Sequence, residues 1–151
     1  EETKHVRSYL EIQQVRYRDI LEYEIDIDPV IEKCKLPKLT LQPLVENAIY
    51  HGLKPKRGKG NITVTGRREN DIVILEVKDT GAGMDEDTLT SLLNKIHNED
   101  TTSFGLVSAY KRLKLLYGDD VDFDIVSRAG EGTTISIRFP GKEELEDETI
   151  L

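Results

Sequence analysis

One stretch constrains the fold more than any other. Ile72-Val73-Ile74-Leu75-Glu76-Val77 runs directly into Asp79-Thr80-Gly81-Ala82-Gly83-Met84. The first part is the most apolar strand-like run in the chain, and a strand so apolar belongs in the middle of a sheet. The second part ends that strand on a carboxylate followed by two spaced glycines. A carboxylate placed there is held on rigid backbone at the edge of an apolar core. The rest of the chain must supply flanking strands and a helical cover.

The hydrophobic period supplies both. Residues 1–19 read as a helix, with Val6, Tyr9, Leu10, Tyr17 and Ile20 recurring at steps of three and four and Gln13 as the one polar interruption. At 21–27 the period changes to two: Leu21, Tyr23, Ile25 and Ile27 alternate with acidic residues, as in a half-buried strand. From Lys38 to Gly52 the helical period returns, with Leu41, Leu44, Val45, Ala48 and Ile49 on one face, Pro43 in the first turn and Gly52 at the end. A basic, breaker-rich loop spans Lys54–Gly60. Strands follow at 61–67 and 72–78, joined through Glu69-Asn70-Asp71. A helix fits 85–95, capped by Asp85. Residues 96–104 lack periodicity and read as a loop, 106–117 as a helix, and 121–127 and 133–139 as closing strands. The tail from Glu143 to Glu148 carries five carboxylates in six residues and reads as disordered. Grouped strands without strict βαβ alternation indicate an α+β fold. The expected form is a two-layer sandwich, with a mixed, mostly antiparallel sheet covered by helices on one face.

Composition excludes several functions. The 151 residues fit one domain, and the formal net charge of −8 disfavours a nucleic-acid phosphate backbone. One cysteine, Cys34, allows neither an internal disulfide nor a cysteine metal cluster, and His5, His51 and His97 lack zinc-ligand spacing. No apolar run approaches the roughly 20 residues of a membrane span, and no signal peptide is visible. The chain begins at Glu1 and its only methionine is Met84. It therefore reads as a piece of a longer protein, with any membrane anchor expected outside it.

Four segments could carry chemistry. On the 38–52 helix, at about 100° per residue, Asn47 and His51 lie within about 40° of each other, with Tyr50 on the other side of Asn47 and the apolar stripe roughly opposite. An amide oxygen there can complete the shell of a magnesium ion that already holds phosphate oxygens and waters. On spacing alone, a solvated helix residue is the commoner reading. Asp79 can accept a hydrogen bond from an exocyclic amine, and Gly81 and Gly83 let backbone approach a flat base. A simple turn fits the same residues equally well. Ser103-Phe104-Gly105-Leu106 opens a helix whose free amides suit phosphate oxygens. Gly130-Glu131-Gly132-Thr133-Thr134 reads by itself as a hairpin turn.

Their order carries more than any one of them. A helix with Glu46-Asn47, a strand ending in Asp-x-Gly-x-Gly-Met, a loop, a Gly-Leu helix start and a Gly-x-Gly-Thr hairpin together resemble the boxes of the GHKL ATPase superfamily. Tyr9-Leu10-Glu11-Ile12-Gln13, Arg16-Tyr17, Leu41-Gln42-Pro43-Leu44-Val45-Glu46-Asn47-Ala48-Ile49 and Lys111-Arg112-Leu113 look like its sensor histidine kinases of the YesM/LytS type. The resemblance spans roughly residues 4–140.

The resemblance implies the Bergerat ATP-binding fold and a catalytic domain over 20–141. Residues 1–19 would belong to a connecting and dimerisation helix, and 142–151 would form the tail. It implies that Asp79 reads the adenine amine, with Thr133 assisting through water. Gly81, Gly83 and Met84 would bound the base pocket. Gly105 and Leu106 would anchor an ATP lid over 96–104, and Asn47 would hold Mg2+ on ATP. Glu46, Asn47 and His51 would be the side chains nearest the chemistry. The reaction implied is γ-phosphoryl transfer to a histidine upstream of this chain. The partners implied are ATP or ADP, the phosphotransfer domain of a homodimeric parent kinase, and a response regulator. The domain would be cytoplasmic and its parent anchored in the cell membrane. Tyr50, Ser103 and Ser108 depart from the family's usual residues, which leaves His51 or a cation of the 54–59 loop to meet phosphate. Pro43 occupies the place of the water-activating glutamate of hydrolysing relatives, so self-contained hydrolysis is disfavoured. A nucleotide-binding or interaction module without kinase activity is the alternative.

Overall fold

The computed structural model describes residues 2–16, 21–33, 41–53, 59–97 and 105–140. Helix α1 (Glu2–Arg16) leads into strand β1 (Leu21–Ile27) and a 3-10 turn at Pro29–Lys33. Helix α2 (Leu41–Asn47) continues as a π-helical segment (Ala48–Leu53). Strands β2 (Gly60–Glu69) and β3 (Ile72–Asp79) follow, then helices α3 (Glu86–His97) and α4 (Gly105–Tyr117), a 3-10 turn, and strands β4 (Asp122–Arg128) and β5 (Gly132–Pro140).

The five strands form one sheet in the order β1-β2-β3-β5-β4. β1 runs parallel to β2, across a crossover that contains α2, and the other pairs are antiparallel. β3 is central, as its composition requires. The expected α+β sandwich is therefore the observed one. On the covered face, Val64, Val73, Leu75, Val77, Ile135, Ile137 and Phe139 join Val6 and Leu10 of α1, Leu44, Val45 and Ile49 of the α2 region, and Leu106 and Leu113 of α4 in one core. The other face carries Glu22, Glu24, Asp26, Arg67, Lys78, Asp122, Asp124 and Arg138, all exposed. Ile74 lies on that polar face yet is buried; its register neighbours are Arg67 and Arg138, whose stems can cover apolar surface.

Several boundaries differ from the sequence reading. The helix expected over 38–52 is not one α-helix: residues 38–40 lie outside the described set, and from Ala48 onward the helix is wound as π. The spacing of about 100° per residue therefore does not apply to Tyr50 and His51. Gly52 does not end a helix in solvent; it is buried inside the π segment. Of the loop expected over 96–104, Ile96, fully buried, and His97 belong instead to α3, and residues 98–104 lie outside the described set. His97 meets Tyr110 edge-on at 6.4 Å, and Tyr110 meets Phe123 at 5.8 Å, tying the end of α3 to α4 and β4. Asp85 does cap α3: its Oδ1 accepts from the Thr88 N–H at 2.8 Å. The β2–β3 link is a two-residue turn, with Asn70 at φ 57, tighter than the three residues expected. Tyr17, Ile20, Cys34, Ser103 and the 142–151 tail lie outside the described residues.

Candidate functional site

The sheet register builds the site. Ile62 of β2 stands opposite Asp79 of β3, Asp79 opposite Thr133 of β5, and Thr133 opposite Ser127 of β4. Residues opposite one another point to the same face. One row on the covered face thus changes from apolar to polar at the end of the sheet. Asp79 is 3% exposed and Thr133 4%, the two most buried polar residues of the described set. Buried polar atoms need partners. Asp79 Oδ1 accepts from the Gly81 N–H at 2.8 Å, an Asx turn that fixes the carboxylate against its own backbone. Thr133 Oγ1 lies 2.7 Å from Ser127 Oγ. Ser127 Oγ also accepts from the Met84 N–H at 2.8 Å and reaches the Gly132 carbonyl at 3.1 Å.

The loop after Asp79 is held from three sides. Thr80 and Asn61 of β2 bond reciprocally, Thr80 N–H to Asn61 O at 3.1 Å and Asn61 N–H to Thr80 Oγ1 at 2.9 Å. The Ala82 N–H donates to the Gly52 carbonyl at 2.8 Å, and the Gly130 N–H of the β4–β5 hairpin to the Ala82 carbonyl at 2.6 Å. Glycines allow this lacing. A Cβ on Gly81 would strike the Gly52 backbone, and one on Gly83, at φ 68, would strike the Arg128 carbonyl. Within the chain, the close approaches made by these two glycines are to its own backbone.

Gly52 sits over Asp79. A Cβ there would lie 2.7 Å from Asp79 Oδ1. Asn47, the last residue of α2, lies five residues before Gly52, the i→i+5 spacing of π-type hydrogen bonds. Asn47 is half-buried, while Tyr50 and His51 are exposed. Glu46 is held by Gln42, whose Nε2 donates to Glu46 Oε1 at 2.9 Å. Gly105 packs on Pro43 at the start of α2, a Cβ there falling 3.2 Å from Pro43 Cβ. Leu106, beside Gly105, is buried in the core. Asp79, Gly81, Gly83, Met84 and Thr133 thus lie together at one end of the sheet. Glu46, Asn47, His51 and Gly105 are joined to it through the α2 segment. Two members escaped the sequence reading, Gly52 and Ser127. Ser127 had a signal: it takes the inward position of β4 after Phe123 and Ile125, where an apolar residue is expected.

The Asp85 carboxyl is held below the usual carboxylate range, first by the Thr88 backbone N–H and then by the Thr88 side chain. Among the described residues, no three His, Cys, Asp or Glu side chains gather as a metal site.

Comparison with known proteins decides the family. The model of the histidine kinase-, DNA gyrase B- and HSP90-like ATPase family matches residues 35–143. The chain belongs to this family. It is 34% identical to the sensor histidine kinase YpdA of Escherichia coli (strain K12) over 141 residues, 93% of this chain and 24% of YpdA. It is 34% identical to the sensor histidine kinase YesM of Bacillus subtilis (strain 168) over 145 residues, 96% of this chain and 24% of YesM. The chain spans about a quarter of the length of these relatives. Among solved structures, the catalytic domain of histidine kinase ThkA superposes with a TM-score of 0.68 at 16% identity, covering 95% of this chain and 93% of that one. ThkA is also known in complex with the response regulator protein TrrA, where the TM-score is 0.65 at 18% identity over 93% of this chain and 40% of that one. These structures share the fold. Membership of the ATPase family implies ATP binding. No helix among the described residues is long and apolar enough to cross a membrane.

Proposed function

We propose that this ATPase-family domain positions Mg-ATP for γ-phosphoryl transfer to a histidine carried by another segment of a sensor kinase. One observation carries this reading: a buried carboxylate, Asp79, at the polar end of a register row, roofed by Gly52 of the π segment that directly follows Asn47. Asp79 accepts from the adenine amine, and Thr133 stands beside it. Gly81, Gly83 and Met84 shape the base end, and Gly105 and Leu106 the far end. His51, exposed on the π segment, is the side chain we assign to phosphate. The donor set suits magnesium rather than a protein-caged metal: Asn47 offers one neutral oxygen, and Mg2+ takes its other ligands from phosphates and water. When bound, the metal would screen charge on the phosphates.

The chain's own part is positioning. The γ-phosphorus–oxygen bond to ADP breaks as a histidine nitrogen–phosphorus bond forms, and ADP leaves with the electron pair. Glu46 is engaged by Gln42 and Pro43 carries no base, which supports transfer over hydrolysis. Residues 1–19 join the domain to a dimeric phosphotransfer region. A response regulator is the downstream partner, in keeping with the ThkA–TrrA complex, and the cytoplasm is the domain's location.

Calorimetry with ATP and ADP, each with and without Mg2+, tests the site. Magnesium-dependent ATP binding is expected. Equal affinity in both conditions removes the metal role of Asn47. A longer protein that includes its upstream histidine should then form phosphohistidine, whereas tight ATP binding without transfer supports a non-catalytic module.

A further inference from the structure

The hydroxyl pair beneath Asp79 has a direction that can be worked out by counting protons. A serine hydroxyl has one proton and two lone pairs. At Ser127, the Met84 N–H can only donate, so it occupies a lone pair at 2.8 Å. The Gly132 carbonyl can only accept, so the 3.1 Å contact uses the Ser127 proton. Ser127 then has no proton left for Thr133. With all three contacts made at once, the 2.7 Å contact between the two hydroxyls runs from Thr133 to Ser127. In that arrangement the Thr133 proton is spent on Ser127, and Oγ1 has only lone pairs to offer any other group.

We propose that Ser127 is the positioning residue that sets base specificity, by withdrawing the Thr133 proton so that Asp79 and Thr133 present acceptors alone. This rests on the nucleotide reading above and extends it to a residue that does not touch the base. An acceptor-only floor suits a purine whose 6-position donates. Adenine carries an amine there, whereas a 6-oxo purine carries an oxygen. A 6-oxo purine would set its oxygen against acceptors, and the Thr133 hydroxyl could not turn to meet it without breaking its bond to Ser127. The hairpin supports the arrangement. Gly132, at φ 105, adopts a conformation that side chains disfavour, and a Cβ there would strike the Asp79 carbonyl. The carbonyl that takes the Ser127 proton is thereby fixed relative to Asp79.

The experiment is calorimetric titration with ATP and ITP, which differ at the 6-position and the adjacent ring proton. Wild type is expected to favour ATP. Ser127→Ala leaves Thr133 free to turn its proton outward, so the ATP-over-ITP ratio should fall by about tenfold, the scale of one neutral hydrogen bond. Ser127→Thr restores the hydroxyl and should restore the ratio. In a Thr133→Val background, Ser127→Ala should change the ratio no further, because its effect runs through Thr133. Should Ser127→Ala fail to fold, Ser127→Cys, similar in size and weaker in both bonds, gives the same reading. An unchanged ratio in the variants, an equal fall in the Thr133→Val background, or no rescue by threonine overturns the role of Ser127. Loss of ATP binding in wild type itself would instead sink the nucleotide site.

Discussion

Gly52→Ala separates the site from the scaffold. The new Cβ would stand 2.7 Å from Asp79 Oδ1, 2.8 Å from Cγ and 3.0 Å from Oδ2, where ordinary contact begins at 3.4 Å. Roughly 0.7 Å of relief is needed, more than a packed interior yields without strain. The carboxylate cannot swing away cheaply, because Oδ1 is tied to the Gly81 N–H and the Gly52 carbonyl holds Ala82. Overpacking of this kind costs about 1–3 kcal/mol. Against it, alanine in a helical segment is favoured over glycine by about 1 kcal/mol, and Gly52 is not among the positive-φ glycines, so no backbone strain is added. Stability should therefore fall by about 0–2 kcal/mol in urea unfolding. Binding should suffer more. Displacing the carboxylate removes a charge-assisted bond of about 1.5–3 kcal/mol, or about ten- to a hundredfold in ATP affinity. Gly66→Ala, whose Cβ would meet Leu75, Ile31 and Ile27 at 3.0–3.3 Å in the apolar core away from the site, is the comparison and should change affinity far less. If Gly52→Ala binds ATP as wild type does, Gly52 does not roof the base site.

Asp79→Asn keeps an oxygen for the Gly81 N–H but loses the charge, so the fold should persist while ATP affinity falls about ten- to a hundredfold by calorimetry. Asp85→Asn keeps an N-cap oxygen on α3 and removes the titration. Because the folded carboxyl sits below its ordinary 3.8, its extra stabilisation is present above that value and is lost as pH falls through the folded value. The gap between wild-type and variant melting temperatures should therefore close on acidification below about pH 4; a gap independent of pH would show that the charge on the cap adds nothing.

The layers of this fold were legible because they rest on periodicity. Leu21–Ile27 alternates and is a strand; Ile72–Asp79 is apolar and central; Leu106 to Tyr117 repeats at helical steps and is a helix. Asp79 was legible as a candidate through its glycine neighbours and Thr133 only through the family resemblance, and their meeting depends on register, which pairs residues 54 positions apart. What escaped depends on contacts with no local pattern. The π winding of Ala48–Leu53 presses Gly52 onto Asp79, and nothing in Ala-Ile-Tyr-His-Gly-Leu distinguishes it from an α-helix that stops at glycine. Ile96 reads as the start of a polar loop until the core requires it. Ser127 could have been found, since a polar residue in the inward phase of a strand calls for a partner.

The polar end of the row exposes a choice between stability and function, and Thr133→Val measures it. Valine keeps the shape and the strand preference of threonine while deleting the hydroxyl. Removing one partner from a buried hydrogen bond is costly when it strands the other. Here it strands nothing: Ser127 keeps the Gly132 carbonyl as acceptor and the Met84 N–H as donor. The loss should stay within about 1 kcal/mol in urea unfolding, the net worth of one neutral hydrogen bond. A loss above about 3 kcal/mol would mean that Thr133 supports a contact beyond Ser127 and that the proton count at this corner is wrong. A near-neutral result gives the hydroxyl a different standing. The fold would tolerate an apolar residue at this point, so a buried threonine beside a buried aspartate is there for what the cleft must recognise.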